Sequence, residues 1–349
     1  MSGGRGSGRA WKRAGLAAAA TLLTPLLVEG TIQLLGDPRY ARIDEQLDEL
    51  SAYWRLAKQG LLTLDDRDLR YRLAPGFRAE VAGVEDRVNE LGLRGPDLAP
   101  SKPAGAKRVV LVGDSYAFGL GVAEQEGIAA QLQTLLPGSE VVNLGVPGYQ
   151  TRQEHLLLQR VGFPLEPDLV VLLYFANDKE KNGLTWAPAL HVLYHDDLPL
   201  PYSWKPFLAQ SFLYAMVAKL DAARRYERGD YDARGATHWP LTAERIEALA
   251  ADCAARWVPF VLAAIPEMSS TAELLDPNHE VSTDHAAVLA LAARHDWPCV
   301  DLRAGMLGKV KAFEKLFLSL DPIDTHYNAR GCRLAAELIA PVAAPLLAR

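Results

Sequence analysis

Five short apolar runs separated by helix-period segments constrain the fold of this chain more than any other feature. The runs are Arg108–Val112, Glu140–Leu144, Leu169–Phe175, Pro259–Ile265 and Cys299–Leu302, and the helical patterns fall at 126–136, 150–161, 242–256, 281–295 and 329–347. Runs that are apolar throughout, rather than at every second residue, bury both faces. That is the signature of parallel strands joined by helical crossovers. The expectation is a three-layer α/β/α domain over residues 108–349 with a mainly parallel five-stranded sheet. An apolar content of 49% in 349 residues supplies the core such a domain needs.

One stretch breaks the rhythm. Residues 179–240 are rich in Trp, Tyr, Pro and His and are longer than a normal connection, which marks an insertion of the kind that carries substrate contacts. Trp186, Tyr194, Tyr202 and Trp204 there could stack on sugar rings or pack on the sheet rim. His191 and His195, followed by Asp196 and Asp197, have metal-like spacing, but Pro188 and Pro199 flank them and no glutamate separates the histidines. A solvated or substrate-facing loop is the better reading, and no metal site is expected.

Upstream, residues 1–13 carry Arg5, Arg9, Lys12 and Arg13, and Ala14–Leu35 is apolar apart from Glu29 and a few small polar residues. Such a run makes a helix of about 33 Å, enough to cross a bilayer. A basic flank before it predicts a cytoplasmic tail at 1–13, a transmembrane anchor at 14–35 and an exported domain on the periplasmic or extracellular side. A cleaved signal peptide is the alternative, although no Ala-x-Ala site follows the apolar stretch; a buried N-terminal helix is another. Residues 37–60 look helical, with Ile43, Leu47, Leu50 and Trp54. Residues 36–107 as a whole read as a stalk and flap packing on the main domain, closing with a linker at Pro100–Lys107.

A net charge of −6 with no basic stripe argues against nucleic acid as a partner. Cys253, Cys299 and Cys332 are odd in number and far apart, so they form neither a disulfide framework nor a zinc motif. They read as buried free thiols, with a single disulfide as the alternative. Composition is silent on the oligomeric state.

Chemistry concentrates in four blocks: Gly113-Asp114-Ser115 after the first strand, Asn143 to Tyr149 after the second, Phe175-Ala176-Asn177-Asp178 after the third, and Asp324-Thr325-His326 before the last helix. Three of them follow strand ends, where ligands bind in open α/β sheets. Singly, each has an ordinary structural reading: a turn, a glycine at positive φ, a helix cap, a surface pair. Jointly, and in this order, they read as a nucleophile with its base and oxyanion donors.

These blocks resemble the SGNH, or GDSL-type, hydrolase superfamily. The resemblance covers about residues 108–349, apart from the insertion, and implies a flavodoxin-like sheet order and no cofactor. It implies Ser115 as nucleophile, an oxyanion hole from Ser115, Gly148 and Asn177, and Asp324 with His326 as acid and base, Asp321 being the reserve acid. The phrase Val88 to Gly95, with the apolar N-terminal run, is similar to a membrane-anchored bacterial subgroup. Two positions depart from the pattern. Phe175 stands where the third block usually has glycine, which predicts a changed pocket wall. The last block usually reads Asp-x-x-His; here it is Asp-x-His, a spacing similar to that of exopolysaccharide O-acetyltransferases of the same superfamily.

The function so implied is a serine esterase or acyltransferase working through an acyl-serine on acyl esters, O-acetylated cell-envelope carbohydrate among them. The rival reading is a catalytically silent, membrane-tethered binding or assembly subunit. A flavin-binding flavodoxin-like protein is more distant, because the first strand is not followed by a Ser/Thr-rich phosphate loop. His155, His238, His279, His285 and His295 read as structural.

Overall fold

The computed structural model describes residues 7–35, most of 56–99, 102–178, parts of 204–224, 239–318 except 277 and 312, and 325–348. The chain divides into two compact units, Met1–Trp54 with Gly183–Gly235, and Arg55–Asn182 with Ala236–Arg349.

The first unit contains helix α1, Ser7–Leu35. Near its C-terminal end the Glu29 carboxylate accepts hydrogen bonds from Ser211 Oγ (2.9 Å), Phe212 N–H (2.8 Å) and Leu213 N–H (2.7 Å). The acid thus satisfies backbone donors at the start of the turn 212–214. The expectation of a transmembrane anchor at 14–35 is corrected here: among the described residues, no helix is long and apolar enough to cross a membrane. The physical reason lies in the residues that interrupt the apolar run. Pro25 removes a backbone donor inside the helix, and Glu29 is engaged with polar groups of the chain itself. The exported, membrane-anchored placement and the cytoplasmic tail rested on that anchor and fall with it. Most of the helix expected at 37–60, and the His191/His195 segment, lie outside the described residues.

The second unit begins with two small antiparallel ladders, β1 (Leu62–Thr63) with β2 (Arg72–Leu73), and β3 (Arg78–Val81) with β4 (Val84–Arg87). Leu61, Leu69, Leu73 and Leu93 of this region are buried. Then comes the main sheet: β5 (Lys107–Val112), β6 (Ser139–Asn143), β7 (Leu169–Tyr174), β8 (Phe260–Ala264) and β9 (Cys299–Asp301), ordered β6-β5-β7-β8-β9 and parallel throughout. Each strand lies within one residue of its sequence expectation at either end. β7 and β8 are buried at every position, as uninterrupted apolar runs require.

The helices of this unit are α2 (Ser115–Phe118), α3 (Ile128–Leu135), α4 (Thr151–Leu157), α5 (Trp239–Ala255), α6 (Thr271–Leu275), α7 (Thr283–Arg294), α8 (Leu302–Leu307) and α9 (Ala329–Leu347). Alternation along the strands sends Val109, Leu111, Val171, Leu173, Val261 and Ala263 into the core under α3, α8 and α9. Val110 and its even-numbered partners face the other side; a Cβ on Gly162, just past α4, would lie 3.5 Å from Val110. Successive strands are added on one side of β5 (β6) and then on the other (β7), so the strand order reverses between β5 and β7, the position at which such sheets bind ligands.

Candidate active site

Ser115 is placed by the tightness of the turn after β5. A Cβ on Gly113 would lie 2.8 Å from the Leu173 carbonyl oxygen and 2.9 Å from Ala117 Cβ, so only glycine lets the chain leave the sheet there. Asp114 caps the four-residue helix α2, accepting from the Tyr116 N–H at 2.9 Å. Gly145, in the loop after β6, would drive a Cβ to 2.1 Å from Phe118 N, so that loop and α2 are in backbone contact.

His326 Nε2 lies 2.7 Å from Ser115 Oγ. Ser115 Oγ is also 3.1 Å from Asp114 Oδ2. A hydroxyl has one proton, so it donates to the carboxylate or to the imidazole but not to both. With Nε2 protonated, the histidine donates to Oγ and the hydroxyl donates to Asp114. With Nε2 unprotonated, the hydroxyl donates to histidine, which is the arrangement a general base needs.

The imidazole is held by aromatic packing. The Tyr116 ring stacks on it at 4.8 Å and 16°, and the Tyr116 hydroxyl donates to the Thr325 carbonyl at 2.6 Å. Burial pushes the Tyr116 phenol well above its usual pKa, so it stays a donor. Phe175 packs on the same tyrosine at 4.7 Å and Tyr327 meets it edge-on at 5.2 Å. Phe175, which the sequence suggests as a pocket wall, is thus part of the support beneath the histidine. The loop carrying His326 is fixed by Leu318 N–H to the His326 carbonyl (2.8 Å), and Asn328 both caps α9 and donates to the Lys315 carbonyl (2.8 Å).

The oxyanion candidates sit past three adjacent strands: Ser115 after β5, Gly148 after β6 and Asn177 after β7. Gly148 has φ +78°, a left-handed conformation. Its loop is clamped by a reciprocal pair: Tyr71 Oη donates to the Pro147 carbonyl (2.9 Å) and Tyr149 Oη donates to the Tyr71 carbonyl (2.6 Å). Asn177 lies on the turn Ala176–Asp178, with its side-chain Oδ1 buried and, among the described residues, without a hydrogen-bond partner. Asp178 accepts from the Phe175 N–H at 2.7 Å. Burial pushes its carboxyl well above the usual range, reinforced by the neighbouring Glu154 and then Asp114. Asp324 and the reserve Asp321 lie outside the described residues.

Two supporting residues carry no sequence signal as such: Tyr71 and Tyr116. The remaining described histidines include three with acid partners that sequence reading does not reveal: His155 with Asp252 (2.8 Å), His285 with Asp301 (3.1 Å) and His295 with Glu247 (2.7 Å). Cys253 and Cys332 are buried free thiols and Cys299 is half-buried and free. Burial pushes Cys253 and Cys332 up to about 12 and Cys299 to about 11, so none is a nucleophile at neutral pH. Among the described residues no group of three or more His, Cys, Asp or Glu could hold a metal ion.

No curated protein matches the chain. Solved structures similar to it include a member of the lipolytic protein G-D-S-L family from Veillonella parvula DSM 2008, 13% identical, covering 68% of this chain and 97% of that one with a TM-score of 0.40. They also include the lipase/acylhydrolase from Enterococcus faecalis (15% identical, 67% and 94% covered, TM-score 0.40) and a single-residue variant of Axe2, an acetyl xylan esterase from Geobacillus stearothermophilus (17%, 68% and 95%, 0.41). The GDSL-like lipase/acylhydrolase family matches residues 111–334, a span running from β5 into α9 and containing all four blocks. With that match over more than half its length, the chain belongs to the GDSL-like lipase/acylhydrolase family, within the SGNH hydrolase superfamily.

Proposed function

We propose that this protein cleaves or transfers acyl esters through an acyl-Ser115 intermediate. Acylhydrolase or esterase activity in general follows from the family; the residue roles and the substrate class are our reading. The observation that carries it is the 2.7 Å approach of His326 Nε2 to Ser115 Oγ. A serine hydroxyl is a weak nucleophile until a base lies within hydrogen-bond reach.

Ser115 Oγ attacks the ester carbonyl carbon as its proton passes to His326 Nε2. The carbonyl π bond becomes an oxyanion, for which the Ser115 and Gly148 N–H groups and the Asn177 amide are the donors. The orphaned Oδ1 of Asn177 leaves that amide without a competing engagement on its oxygen. Collapse of the intermediate expels the alkoxide, which takes the proton from His326. A second alcohol or water, deprotonated by His326, then attacks the acyl-serine and restores the hydroxyl. Asp324 would orient the imidazole through its other nitrogen, with Asp321 in reserve.

We take O-acetylated carbohydrate as the substrate class, from the Asp324-Thr325-His326 spacing. Water as acceptor makes the protein an esterase; a sugar hydroxyl makes it an O-acyltransferase. The 2.7 Å pair speaks against a catalytically silent domain. A fluorophosphonate probe should label the native protein, and Ser115→Ala should abolish both labelling and p-nitrophenyl acetate hydrolysis. Labelling that survives Ser115→Ala would refute the reading. Incubation with acetylated and unacetylated oligosaccharides separates free acetate from transferred acetyl.

A further inference from the structure

Helix α2 has only four residues, closed by Phe118 N–H to Asp114 O and Gly119 N–H to Ser115 O, both 2.9 Å. So short a helix cannot hold its own geometry, and its terminal carbonyls lack intrahelical partners. One side chain from far upstream takes them. Arg94 Nη1 donates to the carbonyls of Phe118 (2.7 Å) and Gly119 (2.8 Å), and Nη2 donates to that of Val122 (2.6 Å). The guanidinium also lies over the Phe118 ring at 4.7 Å.

The Arg94 side chain is 2% exposed, and it is ion-paired with Asp86, whose side chain is fully buried. A buried cation is costly unless it is paired and hydrogen-bonded; here Asp86 pairs it and both Nη groups donate to carbonyls, while Nε is buried without a hydrogen-bond partner among the described residues. The backbone of Arg94 is fixed as well, bridging antiparallel to Val88 and to Asn143 at the end of β6. Asn143 in turn donates to the Phe118 carbonyl at 3.2 Å and accepts from Gly145 N–H at 2.8 Å. A Cβ on Gly119 would fall 2.6 Å from Arg94 Nη1, so the turn is shaped around this guanidinium.

We propose that Arg94, held by Asp86, is a positioning residue that fixes the turn carrying Ser115, making residues 86–94 part of the catalytic apparatus. The inference rests on Ser115 being the nucleophile. Its chemical content is three carbonyls gripped by one planar fork, which a lysine cannot reproduce because its ammonium is a point donor. A shift of about 1 Å in a reacting group costs about 100-fold in rate.

The test measures kinact and KI for a fluorophosphonate on the full chain, together with kcat and KM for p-nitrophenyl acetate. Arg94→Lys, with its melting temperature recorded, should lower kinact and kcat by about 10- to 100-fold and leave KI and KM within twofold. Asp86→Asn, nearly isosteric, is read in the same way should Arg94→Lys not fold. Folded variants with wild-type kinact, or with losses confined to KI and KM, overturn the inference. If Ser115→Ala still labels, the nucleophile reading fails first. If Ser115→Ala is silent and the Arg94 and Asp86 variants label like wild type, the positioning inference alone fails.

Discussion

Replacing Phe175 by alanine tests how His326, the proposed base, is held. Phe175 is 8% exposed, its ring lies 4.7 Å from that of Tyr116, and Tyr116 in turn stacks on His326 at 4.8 Å. Truncating a buried phenylalanine costs ~3–5 kcal/mol. The cluster lies past the carboxyl end of β7, and the lower end of that range, ~3 kcal/mol, is the least loss expected. Of this, ~0.5–1.5 kcal/mol belongs to the ring contact with Tyr116, the part that bears on catalysis. With an m-value of ~2–3 kcal/mol/M, the urea midpoint should fall by at least ~1 M. Phe175→Leu keeps most of the volume and should lose only ~1 kcal/mol. Fluorophosphonate labelling, run where both variants are folded, should slow by about 2- to 13-fold for alanine and less for leucine, because the tyrosine beneath the imidazole is freed to shift. A loss of stability below ~1 kcal/mol in Phe175→Ala, or full destabilisation with an unchanged labelling rate, would refute the idea that this aromatic stack holds the histidine.

The Tyr71–Tyr149 clamp on the Gly148 loop predicts non-additivity: in a double-mutant cycle with Tyr71→Phe and Tyr149→Phe, denaturation should show a coupling of ~0.5 kcal/mol or more, because each hydroxyl grips the other's segment. Asp86 predicts a pH dependence. Burial raises its carboxyl to about 6, against the pull of Arg94 and with a push from Glu124. Since the fold favours the protonated form, the contribution is present below the unfolded value near 3.8 and is lost as pH rises through about 6. Roughly two units correspond to ~3 kcal/mol at most; Asp86→Asn should remove that slope from denaturation curves taken between these pH values, and an unchanged slope would contradict it. In the other unit, Glu29→Ala should expose the amides of Phe212 and Leu213, whose bonds to the carboxylate are 2.8 and 2.7 Å, so their hydrogen exchange should accelerate at least tenfold.

The centre of the sheet was legible because its strands are apolar without interruption, and burial on both faces leaves that pattern little freedom. β7 and β8 are the clearest cases. Helix α9 was equally clear, with Asn328 as its cap and an apolar stripe behind it. Helix α2 left no periodic trace, because four residues contain barely one turn. Arg94 could be noticed only as a letter in the phrase Val88 to Gly95, since its partners Phe118 and Val122 are 24 and 28 residues away. Phe175 stood out as a departure, but its function depends on Tyr116 and His326, which only the tertiary fold brings to it. The N-terminal run misled for a related reason: apolar composition says nothing of what Glu29 bonds to, and its partners lie 182 to 184 residues away.

The bond between Ser115 and His326 closes a loop of 211 residues. At a synthesis rate of ~5–20 residues per second, ~10–40 s separate the emergence of Ser115 from that of His326. Throughout that interval His326 is not yet beside the hydroxyl; β9 is absent until residues 299–301 are made, and α9 follows His326 in the chain. On the proposed reading, the nascent chain carries an unactivated alcohol until then. On the proposed reading, the reaction becomes possible only once His326 has docked beside Ser115, so the order of synthesis delays it until all five strands of the sheet have been made.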